Sequence, residues 1–348
     1  MRFLTFNLWH GLSPATPMAF EALEPGGRRA LRERLQMHTL RDIAADICFL
    51  QEANPVTARA RELGLALHME TRLQPDLVGV KLLGLGFPLN LNSGLVIAAQ
   101  RKWGMRRISA VSLSRPGLRL VHSWGSWQLA EERFALLCEA LLPGWGRVLL
   151  VNTHFHHGLE ETPALAKELD TLVEELELPA STVSELKERL QRGNQRREQE
   201  LSVLLQALES HERRYEAIVI AGDLNATPES QVCMRLAREG FIDLWAAARG
   251  AEPGLTFDAE KNEANHRLQA RFPLSLVVED LSFSVKIREA LISLFRRQEA
   301  RPRRIDYLWV RSRSRRLCVQ RADLVGMPNA EGLAPSDHFG VCADVDMV

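Results

Sequence analysis

Net charge is what this 348-residue sequence lacks, since 44 Lys and Arg balance 44 Asp and Glu. The balance excludes a chain-wide polycation that coats nucleic acid, and equally an acidic tail protein, while leaving local charged surfaces open. Cysteine is scarce and unpaired in pattern: Cys48, Cys138, Cys233, Cys318 and Cys342 contain no C-x-x-C pair. That excludes a disulfide frame or a zinc-finger site and points to free thiols in a reducing, cytoplasmic compartment. The N-terminal MRFLTFNLWHGLSP has too short an apolar stretch for a secretory leader. Repeats and low-complexity linkers are absent. Long hydrophobic runs are absent too. Leu82–Ala99 is uncharged, but Pro88, Asn90, Asn92, Ser93 and three glycines interrupt it. A spanning helix is therefore not expected, and Gly94–Ala99 reads as a buried strand. Lysine is rare beside arginine, 6 to 38, a bias of composition first and of phosphate recognition second.

What is present is an apolar fraction of 46% with 25% charged residues, the composition of a globular chain. The recurring unit is a short apolar run that ends in polar residues of catalytic type. Such runs are Arg2–Asn7, Asp46–Glu52, Leu95–Ala99, Phe134–Leu142, Arg147–His154, Ala217–Asn225, Ile305–Arg311 and Gly340–Val345, each the length of a sheet-core strand. Between them, Arg28–Ala45 predicts a helix with Leu31, Leu35 and Ile43 on its apolar face. Pro163–Leu178 predicts another through Leu165, Leu169, Leu172 and Leu176. Thr182 with Glu185 forms a capping-box pattern for a third, and Asn194–His211 predicts a fourth. The expected organisation is one domain over residues 1–348, with a helical insert at about 158–212 and a mixed insert at about 258–303.

The strand ends supply Asn7, Glu52, Asn152 with His154, Asp223 with Asn225, Asp306, and Asp337 with His338. Each alone reads as a turn or cap residue. Their repetition is the signal. Side chains two apart on a strand share a face, so Asn152 pairs with His154, and Asp223 with Asn225. One ionisable group beside one amide suits a phosphoryl centre: carboxylates hold a hard cation, and amides and imidazole donate to phosphate oxygens. The run His154-Phe155-His156-His157 invites a binuclear zinc reading. An H-x-H-x-D-H site needs Asp at position 158, where Gly158 stands.

The strings TFNLW, FLQE, NTH, GDLN, RRIDY and SDH, in that order from Thr5 to His338, resemble the endonuclease/exonuclease/phosphatase superfamily of deoxyribonuclease-like fold. The resemblance implies an α/β fold, a four-layer αββα sandwich of two mostly antiparallel sheets flanked by helices. It implies metal-dependent hydrolysis of a phosphoester by water. Carried over by position, Glu52 is the principal metal ligand, with Asn7 beside it and Asp337 contributing. All are oxygen donors suited to Mg²⁺ or Mn²⁺. Asp223 activates water, Asn225 binds phosphoryl oxygens, Asp306 orients His338, and His154 donates to phosphate or assists the leaving group. Which of Asp223, His154 and His338 is the base stays open.

The substrate expectation leans to a phospholipid or sphingomyelin-type phosphodiester. SDHFGV, and TFD followed by Asn262 and Asn265, are similar to neutral sphingomyelinase-like members, and residues 82–91 form an apolar stretch that suits peripheral membrane contact. The alternative is a DNA or RNA nuclease on the same site. Ten arginines against three acids between Arg288 and Arg316 would attract either a polyanion or anionic headgroups. An inositol phosphatase and a non-catalytic scaffold rank below both.

Overall fold

Alternation along strands organises the molecule. In the computed structural model, residues 1–16, 19–78, 81–82, 85–86, 92–114, 119–121, 125–128, 132–264 and 284–348 are described. Two six-stranded sheets pack face to face. In the first the order is Leu317–Val325, Gly340–Met347, Arg2–Asn7, Ile47–Ala53, Asn92–Gln100, Met69–Val78. In the second it is Ile242–Asp243, Asp306–Ser312, Ala217–Asp223, Gly146–His154, Phe134–Leu142, Arg106–Ser112. Each sheet has a single parallel pair, Arg2–Asn7 with Ile47–Ala53 and Gly146–His154 with Ala217–Asp223; the other pairs are antiparallel.

Because successive side chains point to opposite faces, Phe3, Phe49 and Ile97 of the first sheet meet Leu136, Leu150 and Val219 of the second in the central core. Their neighbours Leu4, Phe6, Cys48 and Leu50 face the helices Gly26–Ile43 and Val56–Ala66. On the far side, Leu149, Val151, Ile218 and Ile220 pack under Leu204 and Leu208 of the helix Ala180–Glu209 and Leu236 of Gln231–Arg238. The result is the expected four-layer sandwich.

Two helical expectations change. The buried stripe of Gly26–Ile43 is Arg32, Gln36, Met37 and Leu40, not Leu31, which is 53% exposed. The reason is what lies beneath. Arg32 donates to the carbonyls of Leu8 and Trp9, and Gln36 to those of Leu8 and Pro335, so the turn after the first strand needs donors there rather than methyl groups. The capping box at Thr182 is not a boundary either. A single helix runs Ala180–Glu209 with Pro179 at its N-cap position, merging the two helices expected from Thr182 and from Asn194.

The two inserts join. Leu165 and Leu169 of the helix Pro163–Glu175, Leu186 and Leu190 of Ala180–Glu209, and Leu291, Leu294 and Phe295 of Val285–Ala300 share a separate buried cluster. Each of these side chains contributes roughly 2 kcal/mol of burial, enough to tie Pro163–Glu175 and Val285–Ala300 to the first half of Ala180–Glu209, whose second half lies on the sheet. Asn265 and most of the 82–91 stretch lie outside the described residues. Of that stretch, Lys81–Leu82 and Leu85–Gly86 belong to a small four-stranded sheet. No helix among the described residues is long and apolar enough to cross a membrane. Gly94–Ala99 lies within the buried strand Asn92–Gln100.

Gly222 marks the tightest point of the second sheet. Its φ is +144°, and a Cβ there would stand 1.8 Å from the Thr153 carbonyl oxygen on the parallel neighbour. Gly222→Ala should therefore lower stability by about 3 kcal/mol or more, read as a fall in the urea midpoint; an unchanged midpoint would refute the close approach.

Candidate active site

The same alternation that builds the core builds the site. Going along the inward-facing columns, apolar side chains give way to amides and then to ionisable groups. Val148, Leu150, Asn152 and His154 form one such column, and Val219, Ala221 and Asp223 another. The amide layer ties the sheets together. Asn152 Nδ2 donates to the Leu50 and Val96 carbonyls at 2.9 Å, and its Oδ1 accepts from Gln51 Nε2 at 2.7 Å. Asn152, although two residues before His154 as expected, is thus a clamp between sheets, fully occupied beneath the rim.

Above that layer the register aligns the chemistry. His154 pairs with Asp223, and Asp223 with Asp306, on three adjacent strands. From the facing sheet, Asn7 Nδ2 donates to both Glu52 Oε1 (3.2 Å) and Asp223 Oδ2 (3.1 Å). His338 arrives from the loop before Gly340–Met347, its Nδ1 2.8 Å from Asp306 Oδ2 and its Nε2 3.8 Å from Asp223 Oδ2. His154 Nε2 lies 3.5 Å from the same Asp223 oxygen. Asp337 Oδ1 is 4.0 Å from His338 Nε2. The structure therefore gathers all eight expected residues: Asn7, Glu52, His154, Asp223, Asn225, Asp306, Asp337 and His338. All are buried except half-buried Glu52.

Their electrostatics are uneven. Burial, together with neighbouring Asp306, pushes the Asp223 carboxyl up to about 7. Burial also pushes Asp337 up to about 7, with His338 opposing and Glu52 adding to the rise. Burial would raise Glu52 too, but the imidazoles of His10, His154 and His338 and the His10 N–H outweigh it and hold the carboxyl well below its usual range. Burial alone would lower His338, yet Asp306 and Asp337 keep it well above the ordinary imidazole value. His154 falls well below that value through burial and the charge of Arg133. One imidazole is thus charged and the other neutral around a single carboxylate.

Supporting groups explain the placement. Ser336 Oγ donates to the Asn7 carbonyl at 2.6 Å and accepts the His338 N–H, fastening the SDH loop to the end of the first strand. Thr256 Oγ1 accepts the N–H groups of Ile305 and Asp306, its carbonyl accepts the Phe339 N–H, and Asn262 Nδ2 donates to the Ser336 carbonyl. The TFD segment with Asn262 therefore scaffolds Asp306 and His338. Phe257 stands edge-on to the His338 ring at 5.3 Å. Glu52 and Asn225 have φ of 54° and 47°, left-handed backbone that non-glycine residues avoid and that clusters at functional sites.

The sequence matches the Endonuclease/Exonuclease/phosphatase family over residues 4–338. The chain belongs to that family. The endonuclease/exonuclease/phosphatase family comprises hydrolases acting on phosphoesters. Among solved structures, the chain is similar to the endonuclease/exonuclease/phosphatase from Bacteroides vulgatus, at 16% identity with 100% of this chain and 98% of that one covered (TM-score 0.55). It is similar to the human Nocturnin catalytic domain with bound sulfate, at 15% identity, 100% and 94% covered (TM-score 0.53). It is also similar to D. rerio TDP2 complexed with a single-strand DNA product, at 13% identity, 99% and 98% covered (TM-score 0.53). These likenesses carry the fold. No curated protein matches the sequence.

Within this family fold, some expected contacts take another form. Asn7 Oδ1 accepts the Trp9 N–H, so Asn7 offers nitrogen, not oxygen, to the rim. Its amide lies between two carboxylates where positive charge is wanted. Asn225 Nδ2 donates one hydrogen to the Phe155 carbonyl and keeps one free, while its Oδ1 faces His157 Nδ1 at 3.4 Å. Among the described residues, Asp223, Asp306 and His338 form a group of three with ligand atoms within 4.8 Å of one another. Two of the three already share a proton across 2.8 Å. Asp306 Oδ1 is buried with no hydrogen-bond partner among the described residues.

The arginine-rich stretch divides. Arg303 binds Glu299 and lies over the Phe257 ring, and Arg304 binds Asp243 and covers Tyr307. Arg301 pairs with Glu168, and Arg311 with Glu212. Arg313, Arg315 and Arg316 lie past the far end of Asp306–Ser312, roughly 20 Å from the site at about 3.3 Å per residue. The stretch is therefore not one patch beside Asp306; Arg296 and Arg297 remain exposed on the insert helix. Sequence reading missed a nearer basic group. Arg197 donates to the carbonyls of His156 and Gly158, and Arg196 reaches His156 Nε2 at 3.4 Å. A cavity of about 550 Å³ beside Thr227 is lined by Glu160, Glu161, Glu198 and Glu229 together with Arg197, and by none of the eight site residues.

Proposed function

We propose that the chain hydrolyses a phosphodiester by in-line attack of water, with Asp223 as base and His338 as the cation that receives phosphoryl charge. The supporting observation is the row of His154, Asp223 and Asp306 in register, facing Asn7 and Glu52 across the sheets, with His338 held on Asp306 at 2.8 Å. Asp223, raised toward neutrality by burial, has the basicity a general base needs near pH 7. His338, kept protonated by Asp306, presents Nε2–H to a phosphoryl oxygen, and the spare hydrogen of Asn225 can bind a second. His154 stays neutral beside the Asp223 oxygen that Asn7 also holds, while the other oxygen accepts the Asn225 N–H.

The donor set fits a hard divalent cation. Glu52 and Asp337 would hold it, and the raised carboxyls of Asp223 and Asp337 mark negative charge that the protein alone does not compensate. When bound, Mg²⁺ or Mn²⁺ would neutralise charge developing on the phosphoryl and leaving oxygens. Asn7, by donating to Glu52 and Asp223 together, keeps the ligand and the base at fixed separation.

For substrate class, a nucleic-acid strand is favoured over a lipid headgroup. Thr256 and Asn262 are accounted for by scaffolding, which removes one lipid-leaning feature, while exposed Arg296 and Arg297 and the Arg196 side chain at His156 suit a polyanion. The D. rerio relative in fold carries a single-strand DNA product. A panel of bis(p-nitrophenyl) phosphate, single-stranded DNA, duplex DNA and sphingomyelin vesicles, with Mg²⁺ and then chelator, tests this. Chelator-sensitive cleavage of the nitrophenyl diester and of single strands is expected. Cleavage of sphingomyelin alone would overturn the substrate class, and silence on all four would overturn the hydrolytic reading.

A further inference from the structure

The turn after the first strand has a construction that hydrolysis by the eight residues does not use. Trp9 and Gly11 both have left-handed φ, 52° and 67°, ordinary for glycine but unfavourable for Trp9, and His10 is displayed between them. The turn is clamped from below. Arg32 is buried, binds Glu24 at 2.7 Å and the Trp9 carbonyl at 3.0 Å, and lies 4.4 Å from the Trp9 ring centre. A Cβ at Gly11 would meet the Arg32 guanidinium at 2.7 Å, so the chain passes close over it.

What this strained turn displays is a pair of donors on one carboxylate oxygen. The His10 backbone N–H donates to Glu52 Oε2 at 3.1 Å, and His10 Nε2 lies 3.4 Å from the same oxygen. The tautomer follows from the other ring nitrogen. The Leu12 N–H donates to His10 Nδ1 at 3.1 Å, which makes Nδ1 the acceptor and leaves the proton of a neutral imidazole on Nε2. A protonated nitrogen is not a metal ligand, so His10 faces Glu52 as a donor. With Asn7 Nδ2 on Oε1, both oxygens of Glu52 are oriented by N–H groups from the same short segment.

We infer that His10 is a positioning residue that fixes the Glu52 carboxylate for cation binding, the part that outer-shell donors play around ligating side chains. This rests on the assignment of Glu52 as a metal ligand. Two substitutions divide the His10 ring by function. His10→Asn keeps an acceptor where Nδ1 meets the Leu12 N–H and removes the donor to Glu52; His10→Gln keeps a donor at the reach of Nε2.

Mn²⁺ binding to the full chain, followed by titration calorimetry and by the loss of the free-ion paramagnetic resonance signal, reads the outcome without recourse to activity. His10→Asn should raise the Mn²⁺ dissociation constant at least about tenfold, with the metal-free thermal midpoint within a few degrees of wild type. His10→Gln should stay within about threefold. Mn²⁺ binding that depends on Glu52, lost in Glu52→Gln, but is indifferent to His10→Asn overturns the role of His10 alone. Binding equally tight in Glu52→Gln, or no binding by wild type, overturns the Glu52 assignment and His10 with it.

Discussion

Asp223→Asn and His338→Gln are each expected to lower turnover of a diester substrate by on the order of 10³-fold while leaving the thermal midpoint within a few degrees. The magnitude follows from position. Asp223 is touched by Asn7, flanked by His154 and faced by His338, the central position of the row. The stability expectation follows from charge. A buried carboxylate beside Asp306 is repelled in the folded state, and the amide removes that repulsion. Asp223→Asn should melt no lower than wild type, and even higher above pH 7. Turnover within tenfold of wild type in either variant, at saturating substrate, would remove the mechanism. The two variants combined should lose little more than either alone, because base and phosphoryl cation serve one transition state.

The second large effect concerns the cation. Asp223 and Asp337 have folded-state values near 7, well above an exposed carboxyl. Near pH 4 the unfolded chain loses these protons, while the folded chain keeps them until the pH approaches 7. Between about 4 and 7 the folded chain binds more protons than the unfolded one, so stability from this pair falls as pH rises, and the deficit is complete above 7. A divalent cation offsets it by pairing with the ionised forms. Mg²⁺ or Mn²⁺ at a hundredfold excess over its dissociation constant should therefore raise the midpoint by roughly 5 °C at pH 8, and by much less at pH 5. A shift that is equal at both pH values, or that survives Glu52→Gln, would place the cation elsewhere. Chelator should abolish turnover without unfolding the chain, since the two-sheet core is built from Phe3, Phe49, Leu150 and their neighbours and needs no ion.

The central strands were legible because both their faces are buried. Ile47–Ala53, Gly146–His154 and Ala217–Asp223 read as continuous apolar runs for that reason. The edge strands were not. Met69–Val78, Arg106–Ser112 and Leu317–Val325 mix apolar with polar and charged residues, since one flank and much of one face meet water, and such segments look like loops in the sequence. The eight site residues stood out because a polar residue of catalytic type at the end of an apolar run is unusual. Their supports did not. Ser336, Thr256 and Gln51 act through hydrogen bonds to backbone or side-chain groups far away in sequence, and no spacing rule in the sequence announces them. Arg32 and Gln36 misled the helix reading for the same reason: their partners are carbonyls on a turn some two dozen residues away. His10 fell between these cases, adjacent to a recognised motif yet meaningful only once Leu12 and Glu52 are seen on its two nitrogens.

The place of Gly340–Met347 in the first sheet has a consequence for the life of the chain. That strand lies between Leu317–Val325 and Arg2–Asn7, pairing Arg2 with Asp344 and receiving the Met1 amine on the Val345 carbonyl. During synthesis, Asn7 and Glu52 emerge well before Gly340–Met347, which must slot beside Arg2–Asn7 before His338 can settle on Asp306. At roughly 5–20 residues per second, that interval lasts on the order of tens of seconds. On a ribosome-bound nascent chain the cluster of Asp223, Asp306 and His338 is consequently incomplete, and it closes only once translation has passed the SDH segment.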